Sequence, residues 1–399
     1  MKDLSDRIKS LGTENAFVVL NEVNELKAKG KDIKNFCIGQ PDFPTPKNIC
    51  AAAKEAIDQG AHGYTPSPGI PELRNAVAKF FTETRGIKVD PDWVVVGCGG
   101  KPFISHAVFC TTEYGKGHEV IFPNPGFPIY ESMIRGNGAV PVPLYLHESK
   151  GFNFDIDELR GRISDKTRLL ILNSPQNPTG GVLSRPEMAE IAQLCQKHDI
   201  WVYADEVYSR MVYDGAFESI TNHPGMQDRT ILVDCASKTF AMTGWRIGYM
   251  ANRILAGYMT TLITNTDSCA PHLCQRAVAA GLEGPQDDVR RMVQIFKDRR
   301  DVIVSGLNTL PGFTCLKPGG AFYVWPNVTE ACKIVGAKDS EEFRKLLLHE
   351  AGVAVLADIH FGPRVPNEGQ HIRFSYASST QDIKEGIERV RRLMGAKKR

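Results

Sequence analysis

The residues with the greatest chemical reach fall in one stretch, Thr230 to Tyr249, which reads TILVDCASKTFAMTGWRIGY. Ile231, Leu232 and Val233 make a short apolar run of the kind that forms a buried parallel strand. The run stops at Ala236, Ser237 and Lys238. A lysine just past the end of such a strand stands where open α/β sheets place ligands, at the carboxyl edge. Eight residues further on comes Arg246, with Gly244 and Gly248 close by. A hydroxyl, an amine and a guanidinium gathered in this way suit a phosphorylated carbonyl compound. Lys238 could form a Schiff base while Ser237 and Arg246 hold the phosphate. Taken alone, the segment reads equally well as a surface turn carrying a solvated lysine, so the rest of the chain has to decide.

Three more stretches end in residues of similar potential. Val94 to Val96 run into the glycine turn GCGGK, and a helix over 102–112 follows with Pro102 near its first position. Strand, glycine turn and helix amino terminus together make an anion site, because free backbone N–H groups point outward there. Gly97, Gly99 and Gly100 fit neither the dinucleotide nor the Walker spacing. Asn177 lies in NSPQNPTG, and Asp205 and Tyr208 lie in YADEVY. Individually these read as a turn former, a helix cap and a packing residue. Jointly they match the needs of pyridoxal phosphate: a lysine for the aldehyde, a carboxylate for the pyridine nitrogen, donors for the phenolic oxygen and a cup for the phosphate.

Alternating elements must position these groups. A helix is expected over 4–29, ended by Gly30, and a short strand at Phe36–Ile38 breaks at GQPDFPTP. A helix over 47–59 precedes GYTPSPGIPELR, where Tyr64 sits in an irregular segment before a helix that opens near Pro71. Strands at 94–96, 119–122, 139–146, 168–173, 201–205 and 231–233 then alternate with helices, including 156–162 and 185–198. That alternation predicts an α/β fold with a mostly parallel sheet covered on both faces. One long helix is expected over 286–309, followed by strands at 321–324, 353–356 and 372–376 and helices at 340–350 and 380–394. This part reads as a smaller α+β domain completed by the amino-terminal segment.

The 399 residues call for two domains, and 42% hydrophobic and 24% charged residues are ordinary for a soluble enzyme. The net charge of +2 carries no nucleic-acid footprint; the one dense basic cluster, Arg391, Arg392, Lys397, Lys398 and Arg399, reads as a solvated helix end. Neither a signal-peptide core nor eighteen uninterrupted apolar residues occur, so no membrane partner is expected. Ten cysteines without CxxC pairs or metal-type spacing read as reduced thiols of a cytoplasmic protein with no metal site.

The ordered series GQPDFPTP, GYTPSPGIPELR, GCGGK, PNPGFPIY, NSPQNPTG, YADEVYS, SKTFAMTGWRIGY, KPGGAFY and RFSYASS resembles the fold-type I, class I pyridoxal-phosphate aminotransferases over nearly the whole chain. Within them it looks most like the bacterial aspartate aminotransferases. The resemblance implies a large domain over 49–285 with a seven-stranded sheet between helices. It also implies an amino-terminal arm over 1–48, which forms part of the small domain, and a carboxyl-terminal small domain over 286–399. Lys238 would be the Schiff-base lysine and the base that moves the α-proton; Asp205 would keep the pyridine nitrogen protonated. Tyr208 and Asn177 would bond the phenolic oxygen, and Phe127 would stack on the ring where many relatives carry tyrosine or tryptophan. Ser237, Arg246 and the amides of Gly100 and Lys101 would bind the phosphate. Tyr64 would reach the phosphate of a neighbouring subunit, which implies a homodimer with shared active sites. Arg373 and the Gly39 amide would hold the substrate α-carboxylate, and Lys101 would meet the distal carboxylate of an aspartate or glutamate donor. Cys98 and Pro102 depart from the asparagine and glutamine common in relatives, which bears on local substrate contacts.

Three alternatives share parts of this pattern. Alanine or aromatic donors need only a small or apolar pocket beside Arg373. A β-lyase or a cyclopropane-forming synthase uses the same cofactor residues without an oxo-acid acceptor. A pyridoxal-binding transcription regulator needs an appended DNA-binding domain, and nothing before Gly39 is long or basic enough to supply one.

Overall fold

The apolar runs become the strands of one seven-stranded sheet. The structure is a computed structural model and describes residues 3–9 and 11–397. In chain order the strands are β1 (Lys34–Asn35), β2 (Val94–Gly97), β3 (Glu119–Asn124), β4 (Val140–Tyr145), β5 (Thr167–Asn173), β6 (Trp201–Asp205), β7 (Thr230–Cys235), β8 (Gly248–Ala251), β9 (Tyr323–Val324), β10 (Val353–Ala354), β11 (Leu356–Ala357) and β12 (Ile372–Ser375). The large sheet has the order β2-β8-β7-β6-β5-β3-β4. Neighbours from β4 to β7 are parallel, and β8 runs antiparallel to both β7 and β2. Successive side chains of a strand face opposite ways, and the core follows that rule. Leu169, Ile171, Ile231 and Val233 pack in one apolar cluster, while Leu170, Leu172, Val202 and Leu232 pack in another. Burial on both faces explains why these strands read as continuous apolar runs rather than alternating ones.

The remaining strands form a parallel pair, β1 with β10, and a three-stranded antiparallel sheet, β11-β12-β9. A third apolar cluster joins Phe36 from the amino-terminal segment to Phe296, Phe322, Val353, Phe374 and Val390. Phe36 thus ties the early segment to the carboxyl-terminal elements, while Val19, Val23, Leu26 and Ile33 pack in the cluster of the large sheet.

Several expectations need correcting. The helix expected over 4–29 is two: α1 (Asp6–Lys9) and α2 (Asn15–Ala28). Leu11, Gly12 and Thr13 lie between them without helical structure, consistent with the helix cost of glycine. Ser10, and Lys398 and Arg399 of the basic tail, lie outside the described residues. The strand expected at Phe36–Ile38 is confined to Lys34–Asn35, because the chain crosses between sheets there: Phe36 N donates to Ala354 O (2.8 Å), and Phe36 O accepts from Ser375 N (2.8 Å). The single strand expected at 353–356 divides for the same reason, β10 serving one small sheet and β11 the other. Strand β8 had no sequence expectation at all. Helices α3 (Lys47–Asp58), α4 (Pro71–Arg85) and α5 (Lys101–Thr111) start and end close to where Pro71, Gly86 and the glycine turn predict. Among the described residues no helix is long and apolar enough to cross a membrane.

Candidate active site

Strands β3, β5, β6 and β7 all end at the carboxyl edge of the sheet, and the turns beyond them line a cleft of about 440 Å³. Eleven of the twelve expected site residues line it: Gly39, Gly100, Lys101, Phe127, Asn177, Asp205, Tyr208, Ser237, Lys238, Arg246 and Arg373. Tyr64 is the exception, 89% exposed on the segment between α3 and α4.

Asp205 is the last residue of β6 and is buried. One carboxylate oxygen, Oδ2, accepts from the Tyr130 hydroxyl at 2.6 Å. The other, Oδ1, is buried with no partner at hydrogen-bond geometry among the described residues. Burial pushes the Asp205 pKa up to about 6, against the Tyr130 hydroxyl and the Val207 amide, which pull it down. A buried charged acceptor left unmet costs more than about 1–3 kcal/mol, so Oδ1 calls for an incoming N–H, best a cationic one. Glu206, one residue on, has different partners: it pairs with Arg85 (2.9 Å) and accepts from Ser219 (2.6 Å). Of the two acidic residues in YADEVY, only Asp205 lines the cleft.

At the other side, Arg373 projects from β12 and is buried. Its Nη1 donates to Asn177 Oδ1 (2.8 Å) and its Nη2 to Cys37 O (2.6 Å), while Nε has no partner. The rings of Tyr323 and Phe361 flank the guanidinium at 4.4 and 4.8 Å. None of its partners is a carboxylate. A buried cation without a counter-ion is costly, and a planar guanidinium matches a ligand carboxylate.

Lys238 follows β7 in a one-turn helix, Ala236–Thr239, and its Nζ donates to Gly39 O at 2.6 Å. Tyr208 shares a 2.8 Å hydroxyl contact with Tyr323. Burial raises the Tyr208 pKa far above its ordinary value, with the neighbouring Tyr323 hydroxyl adding to the shift.

The anion cup is built by close backbone approach. Gly100 stands at the N-cap of α5 with no side-chain cap, leaving first-turn amides available. A Cβ on Gly248 of β8 would lie 2.4 Å from Gly100 N, and one on Gly99 (φ +90°) would lie 2.1 Å from Arg246 Nη2. Only glycine fits at either position. Arg246 itself has φ 59° and donates to Thr243 O (2.9 Å) and Cys98 O (3.3 Å), neither of which neutralises its charge. Ser237 is buried and lines the same cleft. A carboxylate acceptor, a lysine and a cationic cup in one cleft fit pyridoxal phosphate.

Lys101 begins α5, but its charge is not open to the cleft alone. It pairs with Glu14, and its Nζ lies 5.5 Å from the Phe17 ring centre and 5.4 Å from that of Phe127. Tyr130, Tyr323, Glu14 and Phe17 were not singled out from sequence. Tyr130 and Tyr323 end the quoted segments PNPGFPIY and KPGGAFY, so their motifs carried a signal that their roles did not. Outside the cleft, Glu148, Glu368 and His371 bring possible ligand atoms within 4.8 Å of one another. The two carboxylates already have partners in Asn327 and His147, each at 2.8 Å.

Fold and site define a pyridoxal-phosphate-dependent transaminase of fold type I, and comparison with known proteins agrees. The family model of class I and II aminotransferases matches residues 31–390. The chain is 37% identical to an asparagine–oxo-acid transaminase of Streptococcus mutans, over 99% of this chain and 100% of the relative. It is 35% identical to an aspartate aminotransferase of Geobacillus stearothermophilus over 99% of each chain. The solved aspartate aminotransferase of Thermus thermophilus with maleate superposes with a TM-score of 0.92 at 32% identity, covering 98% of this chain and 100% of that one. The protein belongs to the class I and II aminotransferases, and it moves amino groups between amino acids and 2-oxo acids.

Proposed function

We propose that this aminotransferase holds pyridoxal phosphate on Lys238 and takes an acidic amino donor, aspartate or glutamate, with 2-oxoglutarate or oxaloacetate as acceptor. The observation that carries the reading is a pair of unmet buried groups in the lining of one cleft. Asp205 Oδ1 lacks a donor and Arg373 Nε lacks an acceptor. The first suits a pyridinium N–H, the second a substrate α-carboxylate.

When bound, the cofactor supplies an electron sink for the carbon that loses its proton. The chain supplies the rest. Lys238 would hold the cofactor through its Nζ and, as a free amine, would accept the α-proton and return it elsewhere. Asp205 keeps the ring nitrogen charged, and Tyr130 fixes the carboxylate by its other oxygen. Asn177 spends its Oδ1 on Arg373, which leaves its Nδ2 for the phenolic oxygen beside the Tyr208 hydroxyl. Phe127 would cover the ring face. Ser237, Arg246 and the amides of Gly100 and Lys101 would take the phosphate, and Tyr64 would reach the phosphate of a second subunit. Gly39 and Arg373 orient the α-carboxylate.

The acidic donor rests on Lys101, the cation of the cleft that the other roles leave over. Its pairing with Glu14 favours a second reading, an alanine or other neutral donor that leaves the pair undisturbed. The same family-level reading gives a homodimer, a division of the chain near residues 48 and 285, and a cytoplasmic setting consistent with ten free thiols. The test is a half-reaction panel: each amino acid is added to purified holoenzyme and conversion of the cofactor is followed by absorbance. Aspartate and glutamate should react best. Lys101→Ala should cost about 1.5–3 kcal/mol for aspartate through one lost charge-assisted bond, and little for alanine. Equal losses for both donors, or a wild-type preference for alanine, would refute the acidic reading.

A further inference from the structure

The charged residues lining the cleft, among those described, are four cations and two acids: Lys101, Lys238, Arg246 and Arg373, with Glu14 and Asp205. The reading above commits three cations and Asp205 to the cofactor and the α-carboxylate. The Lys101–Glu14 pair is then the only charge left to meet a substrate side chain. We propose that Glu14 competes with the distal carboxylate of a substrate for Lys101, and so sets how strongly this enzyme takes dicarboxylic over monocarboxylic substrates. The inference rests on Lys101 being the distal contact.

Glu14 is built to be displaced. It occupies the N-cap of α2 with extended backbone (φ −81°, ψ 96°), yet its side chain makes no cap hydrogen bond. The first turn of α2 contains no other acidic residue. The carboxylate reaches instead to Lys101, 87 residues along the chain. The side chains are 43% exposed for Lys101 and 23% for Glu14, and ion pairs in such a setting are weak and exchangeable. A carboxylate released from Lys101 has an alternative close by, the uncapped amides and positive dipole end of its own helix. An incoming dicarboxylate is tethered at its other end by Arg373, so its distal group arrives at high effective concentration. A monocarboxylic substrate never meets this competition.

Isothermal titration of the holoenzyme with succinate and with propionate separates the contributions, and neither probe can react. Glu14→Gln should tighten succinate about fivefold, the upper range for relieving one exposed ion pair, and leave propionate unchanged. Glu14→Thr should do the same, which guards against an effect peculiar to glutamine. Lys101→Ala should weaken succinate and erase the effect of Glu14→Gln in the double variant. If Lys101→Ala weakens succinate but both Glu14 variants leave it unchanged or weaker, the competition is refuted while the role of Lys101 stands. If Lys101→Ala leaves succinate unchanged, the distal-contact reading fails and this inference fails with it.

Discussion

Replacing Asp205 with asparagine keeps its shape and removes its charge, and the structure gives the size of the consequence. Burial holds the Asp205 carboxyl near pH 6, against about 3.9 for an ordinary aspartate. Relative to the unfolded chain, the fold therefore disfavours the ionised form of Asp205 by roughly 3 kcal/mol. The sign follows. With a raised pKa in the fold, the native apoenzyme binds the proton more tightly than the unfolded chain. Asp205 therefore lowers apoenzyme stability as pH rises from about 4 to about 6. A pyridinium N–H on Oδ1 reverses this by stabilising the ionised form, so cofactor affinity should fall as pH drops below about 6. In Asp205→Asn that slope should vanish. Loss of a buried charge-assisted pair should also raise the reaction barrier by about 3–5 kcal/mol, a factor of roughly 10²–10⁴ in the half-reaction rate. Stopped-flow absorbance at saturating cofactor and amino acid measures the rate, and equilibrium dialysis between pH 5 and 8 measures the slope. A variant within about fivefold of wild type, or one that keeps the slope, would show that Asp205 serves packing alone.

Arg373→Ala should weaken amino-acid and oxo-acid substrates alike while leaving the absorbance of the resting holoenzyme unchanged; lost stability with unaltered substrate affinity would make the residue structural. Arg85 lies buried between Glu206 and Asp234, 2.9 Å from each, and burial already lifts Glu206 to about 7. Arg85→Ala should cost about 3–5 kcal/mol in urea unfolding, more at high pH than at low because its pairing with the two carboxylates counts only when they are ionised, and a loss below about 1 kcal/mol would contradict this. Sedimentation should find a dimer, and Tyr64→Ala should loosen cofactor retention; a fully active monomer would refute the shared site.

Local chemistry made most of this legible. The runs LLIL (169–172) and ILV (231–233) are buried on both faces of the sheet, so their lack of alternation was itself informative. Lys238, Asp205 and Asn177 stand at or just past strand ends, where the sheet edge brings them together without further instruction. What stayed hidden depends on contacts between distant segments. Glu14 falls inside the single helix expected over 4–29, and nothing within several residues of it signals a partner at position 101. The hydroxyl of Tyr130 finds Asp205 across 75 residues, and Tyr208 finds Tyr323 across 115. Strand β8 escaped notice because GYMA is short and follows the irregular turn around Arg246, and its pairing on both sides comes from β2 and β7 rather than from its own sequence. The split of 353–356 into β10 and β11 is likewise a tertiary choice, made by which sheet each half meets.

The central claim is that Lys238 carries the cofactor, and one measurement addresses it without reference to turnover. Borohydride reduction of the purified holoenzyme fixes pyridoxal phosphate to whichever lysine holds it, and peptide mapping then locates the label. The label should fall on Lys238, within the peptide that continues to Arg246. A label on Lys101 or any other lysine, or a Lys238→Ala protein that is still labelled stoichiometrically, would contradict it.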